Sequence, residues 1–235
     1  VKTRPALIVF CREPVAGRAK TRLTSHLDPA NAAALAHAFL LDTLAKASAL
    51  RPSRLIIAGT AETPVERGSY FRSLARRFGG QLFDQGQGSL GARMQRALRE
   101  YCTGPGALLI GTDVPSLSLG ALRRLYQLAR RRRIVLGPSL DGGYYAIGVR
   151  GPLPPIFTGM RWSTASVLAR TVARIRRSGE TVALGPVWHD VDQWDDLMLL
   201  SVFLMRMEAS PSAAPHPCPT TAAVMRRLGL LPRRR

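Results

Sequence analysis

The feature of this 235-residue chain that most narrows its fold is an alternation of short β-type apolar runs with longer segments of helical period. Strands are predicted at Ala6–Phe10, Arg54–Ala58, Gln81–Phe83, Ala107–Gly111, Ile134–Leu136, Tyr144–Gly148 and Thr181–Leu184. Helices are predicted between them at Ala30–Ala49, Ser69–Arg77, Leu90–Tyr101, Ser118–Arg131, Thr164–Ser178 and Gln193–Glu208. Strands that alternate with helices in this way build a mostly parallel sheet covered on both faces, so the chain reads as α/β. Residues 1–208 form one domain on this reading, without internal repeats. Residues 209–235 follow as a tail: Ala209 to Thr221 is rich in Pro, Ser and Ala, and Ala222–Leu231 has room for one short helix. The apolar run Leu197–Met205 is expected either in the core or on a homodimer face.

Charge is the unusual part of the composition. Lys and Arg number 34 against 15 Asp and Glu, a formal net charge of +19, and the lysines are only Lys2, Lys20 and Lys46. This excludes an acidic disordered chain and admits a polyanionic partner such as a nucleotide, a nucleic acid or an anionic membrane. Most arginines fall on predicted helices at three-and-four spacing, among them Arg72, Arg76 and Arg77, Arg93, Arg96 and Arg99, and Arg170, Arg174 and Arg177, as solvated outer faces would. Neither a zinc finger, an RRM signature nor a GXXG clamp is legible, which weighs against nucleic acid. Cys11, Cys102 and Cys218 are odd in number and widely spaced, so neither a disulfide framework nor a zinc site is expected. With no run near the roughly 20 residues of a membrane span and no signal-peptide pattern, a cytoplasmic protein is expected.

The chemistry is concentrated just after the strands. The first opens into Cys11-Arg12-Glu13-Pro14-Val15-Ala16-Gly17-Arg18-Ala19-Lys20-Thr21-Arg22-Leu23, a loop that offers free amides and cations to phosphates but lacks the Walker A spacing. A merely basic surface loop is the competing reading. The fourth ends in Gly111-Thr112-Asp113-Val114-Pro115, where a carboxylate beyond an apolar strand suits a hard cation, or else caps a turn. His189-Asp190-Val191-Asp192 supplies further acid, and in an extended segment Asp190 and Asp192 point the same way. Asp195 and Asp196 belong to the first turn of the next helix, for dipole reasons. Gly88-Ser89-Leu90-Gly91-Ala92-Arg93-Met94 starts a helix with a flexible entry. Asp141-Gly142-Gly143-Tyr144-Tyr145 either meets a ligand or makes a tight turn, and Trp162-Ser163-Thr164 reads as a helix start capped by Ser163.

Taken in order, Pro14-Val-x-Gly17-Arg-x-Lys20-Thr-Arg22-Leu23, Gly88-x-Leu90-Gly91-x-Arg93-Met94, Gly111-Thr-Asp113-x-Pro115, Asp141-Gly-Gly-Tyr-Tyr145, Trp162-Ser-Thr164 and Asp190-Val-Asp192 resemble a bacterial family of nucleotide-diphospho-sugar-transferase-like proteins, described as glycosyltransferases and linked with arsenosugar biosynthesis. They are more distantly similar to the phospholactate and molybdenum-cofactor guanylyltransferases. The resemblance covers about Lys2 to Leu204 and implies a Rossmann-like, glycosyltransferase A-type fold. It further implies a nucleotide site at Arg12, Gly17, Arg18, Lys20, Arg22, Leu90, Gly91 and Arg93, with Lys20, Arg22 and Asp113 catalytic. Mg²⁺ or Mn²⁺ would be held by Asp113, Asp190 and Asp192. An acceptor would be bound by Asp141, Gly142, Gly143, Tyr144, Trp162 and Ser163. The family usually carries an acidic residue where this chain has Ser89.

The expected activity is thus Mg²⁺-dependent transfer of a sugar from a nucleotide donor to a small-molecule acceptor. Nucleotidyl transfer to a phosphorylated acceptor, with release of pyrophosphate, is the second reading. A basic nucleic-acid-binding protein without catalysis is the third.

Overall fold

The computed structural model describes residues 4–209 and 216–232. Its elements run β1 (Ala6–Phe10), α1 (Pro29–Ala49), β2 (Leu55–Gly59), α2 (Ser69–Phe78), β3 (Gln81–Asp84), α3 (Leu90–Tyr101), β4 (Ala107–Ile110), α4 (Leu119–Arg131), β5 (Ile134–Pro138), β6 (Tyr144–Val149), α5 (Val167–Arg177), β7 (Val182–Leu184), α6 (Trp194–Ala209) and α7 (Pro219–Arg227). The strands form one seven-stranded sheet in the order β3-β2-β1-β4-β6-β5-β7. Every neighbouring pair is parallel except those of β6, which runs antiparallel to both β4 and β5.

Period-two alternation decides which side chain enters which layer. In β1, Leu7 and Val9 pack into the layer under α1, α2 and α4, while Ala6 and Ile8 face the layer under α3 and α5. Burying both faces explains why these strands are unbroken apolar runs. Helix starts follow the expected capping chemistry: the side chain of Asp28 accepts from Asn31 N at 2.8 Å, that of Ser89 from Ala92 N and that of Ser118 from Ala121 N.

Two boundaries differ from the sequence expectation. Ser163 does not cap α5: it is exposed and left-handed at φ 58°, and the helix begins later, at Val167. The Gly142 carbonyl holds this helix end by accepting from Leu168 N at 2.8 Å. Helix α7 begins earlier than expected, at Pro219, because its cap comes from afar. The Asp42 carboxylate in α1 accepts from Thr220 N at 3.0 Å, from Thr221 N at 2.8 Å and from the Thr221 hydroxyl at 2.7 Å.

A third apolar cluster lies apart from the sheet. Leu23 from the first loop, Phe39 of α1, Val191, Leu197 and Leu200 of α6, and Cys218, Ala222 and Met225 of the C-terminal segment pack together. Helix α6 is apolar on its other side too, with Leu199 and Val202 more than half exposed. All three cysteines are free and buried, and among the described residues no helix is long and apolar enough to cross a membrane.

Candidate functional site

The strand order reverses between β1 and β4: β2 and β3 lie to one side of β1, and β4 to the other. Open α/β sheets leave a crevice at the carboxyl ends of the strands at such a point. A cleft of about 340 Å³ occupies it, lined by Arg12, Arg18, Lys20 and Arg22 of the first loop, Leu90 and Arg93 of α3, and Asp113 and Asp192. Five cations therefore face one cavity.

Lys20 is its central charge. The residue is left-handed at φ 48°, a conformation that costs a non-glycine residue about 1–3 kcal/mol and persists only where its surroundings hold it. Its ammonium donates to the Val191 carbonyl at 2.6 Å and pairs with Asp113 Oδ1 at 2.5 Å and Asp192 Oδ1 at 2.8 Å. Burial alone would lower the lysine pKa, but the charges of Asp113 and Asp192, and hydrogen bonds to both, more than offset it and hold the group cationic. The backbone reinforces the junction, with Val191 N donating to Asp113 O at 2.8 Å.

Arg18 pairs with Glu62, whereas Arg12, Arg22 and Arg93 have no carboxylate partner among the described residues. Gly17 shapes the loop from outside the cleft, in a turn closed by Arg18 N to Val15 O at 3.0 Å. Gly91 is buried instead of facing a ligand: a Cβ there would stand 2.8 Å from Trp162 Cζ2 and 3.0 Å from Phe157 Cβ, so close helix packing requires glycine. Ser89 caps α3.

The three-carboxylate metal centre is not gathered. Among the described residues no three Asp, Glu, His or Cys side chains are close enough to hold an ion. Asp190 turns to the Ser139 hydroxyl, and the Lys20 ammonium lies between the other two carboxylates. Burial, and after it the charges of Asp141, Asp113 and Asp192, push Asp190 up to about 7 against the pull of the Ser139 hydrogen bond. Asp113 and Asp192 do fit a narrower role. Their side chains are about half exposed (48% and 42%), and each engages Lys20 through Oδ1 alone. Mg²⁺ is commonly held by one or two such hard oxygen donors together with water and substrate phosphates.

A second cavity of about 190 Å³ adjoins the first, sharing Phe10, Leu90 and Asp113 with it and adding Met94, Tyr144, Ile147 and Asp190. Its walls are largely apolar. The Tyr144 hydroxyl is buried, and that burial raises its pKa against the pull of a hydrogen bond with the Thr171 side chain. Of the residues expected to bind an acceptor, Tyr144 lines this cavity. Asp141, Gly142, Gly143, Trp162 and Ser163 line neither of the two. Asp141 instead accepts from Gly143 N at 2.8 Å in the β5–β6 turn, and a Cβ on Gly142 would collide with the Ala165 carbonyl. Trp162 supports the wall, its ring 6.5 Å from that of Tyr144.

Sequence reasoning missed Gln85, which is 1% exposed at the end of β3. Its amide nitrogen donates to the Cys11 and Ala58 carbonyls, both at 2.8 Å, and its oxygen accepts from Arg93 Nη1 at 2.9 Å. Its place directly after an apolar strand, the position shared by the other site segments, is the signal that could have found it.

Residues 41–164 match the DUF2064 family model, described as an uncharacterized protein conserved in bacteria. No curated protein gives a significant match. Among solved structures, a provisionally assigned nucleotide-diphospho-sugar transferase from Desulfovibrio desulfuricans G20 is 26% identical, with a TM-score of 0.81 over 97% of this chain and 96% of its own. A nucleotidyl transfer enzyme from Methanothermobacter thermautotroptrophicus is 13% identical, with a TM-score of 0.57 over 87% of this chain and 99% of its own. A 4-diphosphocytidyl-2C-methyl-D-erythritol synthase from Anaerococcus prevotii is 11% identical, with a TM-score of 0.54 over 87% and 99%. The last two share the fold.

Proposed function

The chain belongs to the DUF2064 family, and from that premise we propose that it is a divalent-metal-dependent transferase that takes the sugar of a nucleotide donor and passes it to a small acceptor. One observation carries this reading: the loop cations Arg18, Lys20 and Arg22 and the half-exposed pair Asp113 and Asp192 face the same cleft at the topological switch point. Likeness to the Desulfovibrio transferase over nearly the whole chain supports it.

Arg18 and Arg22 orient the diphosphate and neutralise charge on the leaving group, as preorganised cations do wherever charge develops in a transition state. Lys20 holds Asp113 and Asp192 in register, so that two segments far apart in sequence present one acidic edge. Asp113 and Asp192 would hold Mg²⁺, which when bound supplies Lewis-acid stabilisation of the departing diphosphate. The acceptor lies in the apolar cavity at Tyr144 and Asp190. Its oxygen forms a bond to the anomeric carbon, the bond from that carbon to the diphosphate breaks, the nucleoside diphosphate leaves, and the acceptor proton passes to solvent.

Nucleotidyl transfer is the second reading, favoured by Arg12 and Arg22, cleft cations without a carboxylate partner among the described residues, a surplus of charge that suits a triphosphate. Thermal-shift and turnover measurements separate the two. Nucleotide sugars with Mg²⁺ should raise the melting temperature by mass action, and an added acceptor should release nucleoside diphosphate. Release of pyrophosphate from nucleoside triphosphates, with no response to nucleotide sugars, would establish the second reading. Asp113→Asn should abolish the Mg²⁺-dependent part of the shift, read against the variant's own ligand-free melting temperature, which falls because the buried Lys20 loses one of its two carboxylates; an undiminished Mg²⁺ response removes Asp113 from the metal.

A further inference from the structure

The cleft is chemically asymmetric along the sheet edge. Asp113, Lys20 and Asp192 lie on the β4 side, whereas Gln85 follows β3 on the opposite side of β1. Strands β3 and β4 are three spacings apart, about 14 Å, the scale of an extended nucleotide. With the diphosphate at the Asp113 and Asp192 edge, the base falls toward Gln85 and Arg93.

The chemistry of that end is unusually restricted. Both amide hydrogens of Gln85 are used on backbone carbonyls, so its oxygen is fixed and accepts from Arg93 Nη1. Gln85 is itself buried, so its contribution to a ligand is the orientation it imposes on the guanidinium. Arg93 Nη2 makes no hydrogen bond among the described residues, and Nε is buried without one. Arg12 shares the cleft with Arg93, and neither has a carboxylate partner among the described residues. An oriented, partly unbonded guanidinium that repels its neighbour contributes little to stability. Leu90, 36% exposed, adds an apolar surface in the same cleft.

A flat ring lying on Leu90 must therefore present acceptors, and no donor, to Arg93. Guanine does so with adjacent O6 and N7, the pair that arginine binds through two parallel hydrogen bonds. Adenine and cytosine place an amino donor at the equivalent edge, and uracil offers O4 alone, one acceptor where guanine has two. We infer that Arg93, set in position by Gln85, selects a guanine nucleotide; this rests on the nucleotide-transferase reading above and specifies its donor.

Isothermal titration of the full chain in Mg²⁺ buffer with GDP, UDP, ADP, CDP and inorganic pyrophosphate tests it. GDP should bind about tenfold or more tightly than ADP, CDP or UDP, and UDP binding as tightly as GDP overturns the inference. Arg93→Met should erase that preference while leaving pyrophosphate affinity within about twofold, and Arg93→Lys, which keeps the charge but not the fork, should not restore it. Equal binding of all four diphosphates overturns the inference and leaves the transferase reading standing. So does a loss of pyrophosphate affinity in Arg93→Met that Arg93→Lys repairs, since Arg93 would then be an anion contact. Binding of none of the five ligands removes the transferase reading and the inference with it. If Arg93→Met fails to fold, the order of the four bases on the wild type decides alone.

Discussion

Lysine is so scarce in this chain that its buried positions are informative: Lys20 joins two carboxylates, and Lys46 stands beneath the turn that carries Asp113. Lys46 is 8% exposed and donates to the Pro115 carbonyl at 2.6 Å. A compact ammonium on a flexible stem suits such a single-carbonyl contact better than a planar guanidinium. Burial pulls its pKa down to about 8, against the opposing charge of Asp42. The unfolded chain, with lysine at its ordinary value of 10.5, binds more protons than the folded one between these limits, so stability rises with pH from about 8 to about 10.5. At and below neutrality the penalty is fully present, on the order of 3 kcal/mol. Urea unfolding of the wild type should show that gain, and Lys46→Met should lose most of the slope. An identical slope in the variant assigns the titration to another group.

At the scale of elements, the C-terminal helix supports the site without touching it. Met225 and Ala222 of α7 pack with Leu23, which follows the phosphate-facing loop, and with Val191, which separates Asp190 from Asp192. Met225→Ala should therefore destabilise by about 2–5 kcal/mol and also weaken nucleotide binding, although α7 contributes nothing to the cleft lining. Urea melts and titration of the same variant check both, and nucleotide affinity equal to wild type would uncouple the helix from the site. The same helix marks the limit of what the sequence makes legible. Strands β1, β2, β4, β5 and β6 are readable because a strand buried on both faces is an apolar run, and helices α1, α3 and α4 because Asp28, Ser89 and Ser118 lie beside the ends they cap. The cap of α7 lies 178 residues away in Asp42, so local pattern places its start too late. The site divides in the same way: charged residues directly after strands are visible in the sequence. Lys20 standing between Asp113 and Asp192, and a neutral Gln85 orienting Arg93, are long-range pairings with no local spacing to betray them.

Over the whole molecule, a charge of +19 with 15 acids means that most cations must find something other than a carboxylate. The described residues contain four ion-paired contacts, and backbone carbonyls take up much of the remainder. Arg96 donates to the Gln85 and Gln87 carbonyls, Arg133 to those of Arg150 and Pro152, and Arg174 to those of Ile156, Thr158 and Gly159. Arginine can clip several carbonyls at once, which suits a chain short of acid. Arg72, Arg76, Arg131, Arg170 and Arg177 are exposed on three different helices, so they form no single stripe for a nucleic-acid backbone. Diffuse exposed charge still attracts polyanions at low ionic strength, and salt screens that attraction over about 8 Å under physiological conditions. The two kinds of binding should therefore separate on salt. Duplex DNA affinity, measured by fluorescence anisotropy, should fall by about a thousandfold or more between 50 and 200 mM salt. Nucleoside diphosphate affinity, resting on a few cations inside one cleft, should fall by no more than about tenfold. DNA binding that survives 200 mM salt and exceeds nucleotide affinity would move the function from the cleft to the outer arginines, because only a dedicated surface competes with counterions at that concentration.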